Sequence, residues 1–266
     1  MLCGKRFIIS ASALIKSPVG CDPKWLIQIR SALLGGFRDD GDSNMDLNLE
    51  SSLNPGNIEK KSFAIIDSEV SEPRPFQGEE WQIVRRMIHT TADFELLSLV
   101  KFHPDAIKSG VAALKSGCLV VTDTEMARMG ITLRRMDQLG SRVECYMGSS
   151  EVKEMAQMEK TTRASAAVDF ALSSLDGGIY VVGNAPTALL RLLRCIEEGK
   201  CTPALIVGMP VGFVNAAESK EMLMGQARIP YITIKGRKGG SALAACVVNQ
   251  LAEIVLKGVR SKEQEG

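Results

Sequence analysis

Residues 203–221 read Pro-Ala-Leu-Ile-Val-Gly-Met-Pro-Val-Gly-Phe-Val-Asn-Ala-Ala-Glu-Ser-Lys-Glu. The apolar run from Ala204 to Val207 is short enough for a strand buried on both faces. Gly208, Pro210 and Gly212 break it. A helical pattern follows, with Asn215 as the expected cap and Glu218 as its capping-box partner. Strand, glycine-rich turn and helix start put free backbone N–H groups at the carboxyl end of a sheet, where anions are favoured. The same segment also reads as a tight βα turn that only connects two elements.

The pattern repeats on both sides of this stretch. Cys118–Thr122, Arg142–Met147, Gly178–Val182, Ala204–Val207 and Tyr231–Ile234 read as strands separated by helical stretches, one of them a long helix from Ser150 to Leu175. That alternation predicts an α/β fold: a three-layer α/β/α, doubly wound parallel sheet of about five strands. Ligands of such sheets bind beyond the carboxyl ends of the strands. Glycine-rich turns at 183–187, 208–212 and 236–240 fall there. Upstream, Ile58 to Val70 reads as a helix ended by Pro73 and Pro75. A second helix starts near Glu79-Glu80, with Trp81, Val84, Ile88 and Leu96 or Leu97 at helical spacing. His103-Pro104 reads as the start of a third.

Residues 1–53 read as an N-terminal extension. Phe7–Ile9 suggests a strand, and Asp22-Pro23 opens a helix through Trp25, Ile29 and Leu33 to Gly35-Gly36. Residues 38–57, rich in Asp, Asn, Ser and Gly, read as a linker. The first twenty residues contain Lys5, Arg6, Lys16 and several serines but no acid. This loosely resembles a targeting peptide, although the apolar stretch is short and diluted.

The 266-residue chain has a formal charge of +1, which leaves no overall attraction to nucleic acid or anionic membranes. Seven cysteines without a CxxC pair read as the reduced thiols of a cytoplasmic protein. No apolar run is read as approaching a membrane span. Nucleotide fingerprints are absent: no G-x-G-x-x-G follows the first strand, and 236–241 lacks the Gly-Lys-Ser/Thr order of a phosphate loop. The cysteines and two histidines form no metal-ligand spacing.

Acid–base chemistry is better represented. A histidine is the natural proton donor near neutrality. His89 and Arg86 lie one turn apart on one helix, so that the arginine can hold a carboxylate against the imidazole. His89 also reads as a helix-surface structural residue. His103, before Pro104, reads as a cap or loop residue. Arg163, in Lys-Thr-Thr-Arg-Ala-Ser, reads either as an anion anchor or as a solvated helix position. The methionines at 126, 129, 136, 155 and 158 read as core or surface filler.

Several stretches together resemble one family. They are Ser62-Phe-Ala-Ile-Ile, Arg86-Met-Ile-His89, Thr122-Asp-Thr-Glu-Met126, Thr162-Arg163, Gly183-Asn-Ala-Pro-Thr-Ala188, Gly208-Met-Pro-Val-Gly-Phe-Val-Asn-Ala-Ala-Glu-Ser-Lys220 and Gly236-Arg-Lys-Gly-Gly-Ser241. In this order and spacing they are similar to precorrin-8X methylmutases, or precorrin isomerases, whose metal-containing branch acts on cobalt-precorrin-8. The resemblance runs from about Asn54 into the C-terminal helix, which sets an expected domain of 54–266. It implies a flavodoxin-like fold, usually a homodimer, and an isomerase of cobalamin biosynthesis. Such an enzyme moves a methyl group between adjacent ring carbons of a tetrapyrrole, with no organic cofactor and no metal site of its own. By this resemblance His89 is the proton donor and acceptor, Ser62 and Arg86 hold substrate, and Arg163 belongs to the site. Thr90-Thr91-Ala92 departs from the Ala-Cys-Gly of some members. A non-catalytic corrinoid-binding protein and a phosphate-binding α/β enzyme are the competing readings.

Overall fold

The computed structural model describes residues 55–265, with side chains from 56 to 259. The expected extension, its strand and helix, and the linker up to residue 54 lie outside the described residues. In chain order the elements are α1 (Pro55–Glu69), α2 (Gly78–Thr91), α3 (Leu96–Leu99), β1 (Val100–Phe102), α4 (Ala106–Lys115) and β2 (Leu119–Thr122). Next come α5 (Glu125–Gly130), α6 (Leu133–Gln138), β3 (Arg142–Glu144), α7 (Ser150–Met158), α8 (Arg163–Ala171) and β4 (Ile179–Val182). The chain then forms α9 (Pro186–Glu197), β5 (Leu205–Gly208), α10 (Ala216–Gly225), β6 (Tyr231–Ile234) and α11 (Ser241–Glu265).

The sheet has six strands in the order β1-β6-β5-β4-β2-β3. β2 to β6 are parallel, and β1 joins the edge antiparallel to β6 through Val100↔Ile234 and Phe102↔Ile232. The expected parallel sheet of about five strands matches β2 to β6, and β1 adds an antiparallel edge strand. Without β1 the order is that of a flavodoxin-like doubly wound sheet, whose switch point lies between β2 and β4.

Period-two alternation divides the strand side chains between two helical layers. Ile179, Val181, Leu205, Val207, Ile232 and Ile234 pack with Ile83, Val84, Met87, Leu114, Val247 and Leu251 of α2, α4 and α11. Tyr180, Val182 and Ile206 face Val168 of α8, Leu189 and Leu192 of α9 and Leu223 of α10. Each fully buried aliphatic side chain contributes about 1.5–3 kcal/mol of transfer free energy.

Several local expectations are corrected. α1 starts at Pro55, a favoured first-turn residue, so the polar linker yields to helix three residues before Ile58. The stretch Ser150–Leu175 is broken. Lys160 takes a positive φ of 51°, and the Thr162 hydroxyl accepts from the Ser165 N–H to start α8. Asn215 has φ 60° and makes no side-chain cap, so it turns the chain into α10 by backbone conformation alone. Leu96 and Leu97 belong to a separate turn because Ala92, at φ 52°, ends α2. α4 begins at Ala106, two residues beyond Pro104. The expectation of no span-length apolar run also fails. Ser241–Val259 has a mean hydropathy of 1.5, but 61% of that window is buried in the core.

Candidate active site

The carboxyl edge of the sheet is built from loops pressed against one another. At the switch point Asp123, immediately after β2, is buried. Its carboxylate accepts from the N–H groups of Gly183 (2.8 Å), Asn184 (2.8 Å) and Ala185 (2.6 Å). Burial pushes this carboxyl up, while the three N–H bonds pull it back. The donors that would cradle a phosphate in a nucleotide-binding relative of this fold are thus occupied by the chain's own carboxylate. Gly183 is glycine for a packing reason, since a Cβ there would stand 2.6 Å from Ser241 Cα. The Thr124 and Ser241 hydroxyls are hydrogen-bonded at 2.9 Å across the same seam.

His89 lies on the last turn of α2 and is exposed. It borders a cavity of about 310 Å3 with Ser62, Ile65, Ile66, Glu69, Ile88, Ala92 and Phe94, a largely apolar wall. α1 supplies Ser62 and α2 supplies His89, so packing of the two helices makes the cavity. The Ser62 hydroxyl donates to Ile58 O at 2.9 Å.

Arg86, one turn before His89, lines a neighbouring depression of about 280 Å3 with Thr90, Arg135, Asn249 and Gln250. Its guanidinium pairs with Glu59 of α1, and its Nε donates to Gln250 Oε1 at 3.2 Å. Phe63 joins the two sites. Its ring meets His89 edge-on with centroids 5.3 Å apart, and Arg86 lies over it at 4.7 Å. Arg85 stacks on the same ring at 4.4 Å and pairs with Asp67 at 2.5 Å. Hydrophobic patterning marks Phe63 only as a packing residue of the apolar cluster at 63–66; its contacts with two guanidiniums and the imidazole are what distinguish it.

Ser62 and His89 are therefore brought together, and Arg86 lies next to them. Arg163 is not at this cavity. It starts α8, in the opposite helical layer, and lines a separate depression with Lys153, Ala156, Gln157 and Thr161. Its link to the carboxyl edge is through Thr162, whose hydroxyl bonds Thr187 Oγ1 at 3.1 Å near the start of α9. His103 is a loop residue, its Nδ1 accepting from the Asp105 N–H at 3.1 Å.

Large apolar side chains are exposed in segments that follow two of the strands. Phe213 is 82% and Val214 77% exposed in the turn after β5, and Met126 and Met129 on α5 are 73% and 71% exposed. Among the described residues no group of acidic, cysteine and histidine side chains could hold a metal ion.

A flavodoxin-like sheet with a histidine beside an apolar cleft defines the class: a doubly wound α/β enzyme. Residues 57–254 match the model of precorrin-8X methylmutase, and the chain belongs to that family. It is 45% identical over 208 residues to the cobalt-precorrin-8 methylmutase of Priestia megaterium, covering 78% of this chain and 92% of that protein. It is also 45% identical over 202 residues to the enzyme of that name from Leptospira interrogans, covering 73% and 91% of the two chains. The crystal structure of precorrin-8X methylmutase from Thermus thermophilus superposes with a TM-score of 0.70 at 43% identity. The match covers 76% of this chain and 96% of that one. The chain is an isomerase of cobalamin biosynthesis that catalyses an intramolecular methyl shift. A non-catalytic corrinoid carrier finds no support among these relatives.

Proposed function

We propose that the chain converts cobalt-precorrin-8 to cobyrinate at the cleft beside His89, with His89 as the acid. The observation that carries this reading is the imidazole on an apolar cavity wall, with Ser62 opposite and Arg86 one turn away. The cobalt substrate is favoured because the Priestia and Leptospira relatives are named for it.

The chemistry asks little of the protein. The substrate carries several acetate and propionate carboxylates around an apolar ring, so it suits an apolar wall rimmed by guanidiniums and hydroxyls. Protonating a ring nitrogen draws electrons from the conjugated system and eases a sigmatropic methyl shift. The proton returns to His89 when the shifted product forms. One well-placed acid contributes about a hundred- to ten-thousand-fold. The methyl stays within one molecule, so no nucleophile is needed. Arg86, and at greater remove Arg163, serve the carboxylates, and Ser62 contributes a hydroxyl to the cavity edge.

A cavity of about 310 Å3 lies at the lower end of small-molecule sites and accommodates one edge of a macrocycle. A second copy of the chain, packing through apolar residues such as Phe213 and Met126, completes the cleft in this proposal. The enzyme is proposed to work in the cytoplasm as a homodimer.

Incubation of the purified chain with cobalt-precorrin-8 and, separately, precorrin-8X tests the reading. The shift changes the conjugation, so the visible spectrum reports turnover. Conversion of neither substrate rejects the function, and conversion of the metal-free ring alone rejects the cobalt assignment.

A further inference from the structure

Lys220 on α10 is fully buried, and its ammonium donates to Lys238 O at 2.6 Å. No other partner for it occurs among the described residues. Burial alone shifts its pKa, pulling it down to about 8, with no carboxylate nearby to offset the shift. An unpaired ammonium is costly to bury, so its retention asks for a purpose beyond packing.

The carbonyl it meets belongs to a tightly packed loop whose flanking residues are fastened by backbone bonds. A Cβ on Gly239 would stand 2.2 Å from Met209 O, so the loop after β6 lies directly on the loop after β5. Two backbone bonds fasten the contact: Gly240 N–H to Met209 O at 2.9 Å and Gly212 N–H to Arg237 O at 3.2 Å. In a trans peptide the N–H points opposite to the C=O. The Gly239 N–H therefore points away from the Lys220 ammonium. Gly239 is partly exposed, and its N–H has no acceptor among the described residues. The same loop reaches the segment after His89. The Lys238 ammonium pairs with Asp93 at 2.6 Å and with Glu95, and Ala92 and Phe94 beside Asp93 line the His89 cavity.

We propose that Lys220 is a positioning residue: its buried ammonium holds and polarises the Lys238–Gly239 peptide, so that the Gly239 N–H binds one carboxylate of the ring substrate. Acting through a fixed peptide, a charge-assisted bond on the carbonyl strengthens the N–H as a donor. This inference rests on the corrinoid reading of the site and adds a binding point on the far side of the loop from α10.

The test uses the 15N-labelled full chain and metal-free hydrogenobyrinic acid, the diamagnetic product of the parallel reaction. The Gly239 amide proton is expected to move downfield on saturation. Lys220→Met is expected to keep its circular dichroism, to raise KM and the product Kd about tenfold, and to leave kcat within about threefold, because only binding is altered. Equal affinity of wild type and variant, or a Gly239 amide that does not move in the wild type, overturns the inference alone. A wild type that binds no corrinoid overturns the proposed function and this inference with it. Should Lys220→Met fail to fold, the wild-type Gly239 amide still decides.

Discussion

Arg86 is held by Glu59: the two form an ion pair that ties α2 to the exposed first half of α1. The Arg86 guanidinium beside it keeps the Glu59 carboxyl below its ordinary range. The same guanidinium is proposed to receive a substrate carboxylate, so Glu59 occupies that place until substrate arrives.

Glu59→Gln is therefore expected to tighten substrate binding. The Glu59 side chain is 47% exposed, and such pairs are worth about 0.2–1 kcal/mol, so KM should fall by up to about fivefold with kcat unchanged. Steady-state kinetics on the two proteins checks this. A raised KM would mean that Glu59 orients Arg86 and does not compete for it.

Asp123→Asn is expected to destabilise the fold by about 2 kcal/mol. The substitution keeps the shape but sets an amide N–H2 against one of three converging backbone N–H groups. Urea unfolding at neutral pH measures the cost. An unchanged midpoint would show that Asp123 is protonated in the native chain.

The parallel core was legible in the sequence because Ile179–Val182, Leu205–Val207 and Tyr231–Ile234 are apolar runs of strand length between turn residues. β1 was not, since three residues inside Leu96–His103 carry too little alternation to separate from a helix. The break before α8 had a local signal in Thr162 and Ser165, outweighed by the alanine-rich helical composition around it. His89 and Ser62 could be named from motif and resemblance, but not their meeting through Phe63, which depends on how α1 crosses α2. Asp123 and Lys220 are charged residues, which composition assigns to the surface; only long-range packing shows them inside.

Stability should peak on the alkaline side of neutrality. Burial pushes the thiols of Cys118, Cys201 and Cys246 from 9.0 up to about 11. Between those values the unfolded chain has released protons that the folded chain retains, so this contribution is complete below pH 9 and is lost as pH rises through about 11. Lys220 acts in the opposite sense. Its pKa is lowered from 10.5 to about 8, so stability rises between those two values. The three thiols together outweigh one lysine above pH 9. Urea midpoints from pH 7 to 11 should rise slightly to about pH 9 and then fall. Lys220→Met should abolish the rise and keep the fall.

Arg163→Ala is expected to weaken binding of the carboxylate-rich substrate while sparing conversion of what is bound. Arg163 is exposed at the start of α8, away from the His89 cavity, so its guanidinium can serve a peripheral carboxylate without touching the reacting carbons. Product titration compared with single-turnover conversion separates the two effects. Unchanged affinity returns Arg163 to a solvated helix position.

His89→Ala is expected to lower single-turnover conversion by about a hundredfold or more while product still binds tightly. His89 is one of two histidines in the chain, and His103 is engaged in its own loop, with Nδ1 accepting from the Asp105 N–H. The imidazole is exposed at the mouth of an apolar cavity, so it can meet a ring nitrogen there. Only its bond to the ring strengthens as the nitrogen is protonated, so its removal costs rate and not affinity. The Phe63 ring packs against the imidazole edge-on, and losing that contact should cost at most about 1 kcal/mol of stability. Measuring conversion and product affinity on one preparation separates loss of chemistry from loss of the site. A variant that keeps near-normal conversion removes His89 as the acid, and a variant that loses rate and affinity together makes it a binding residue instead.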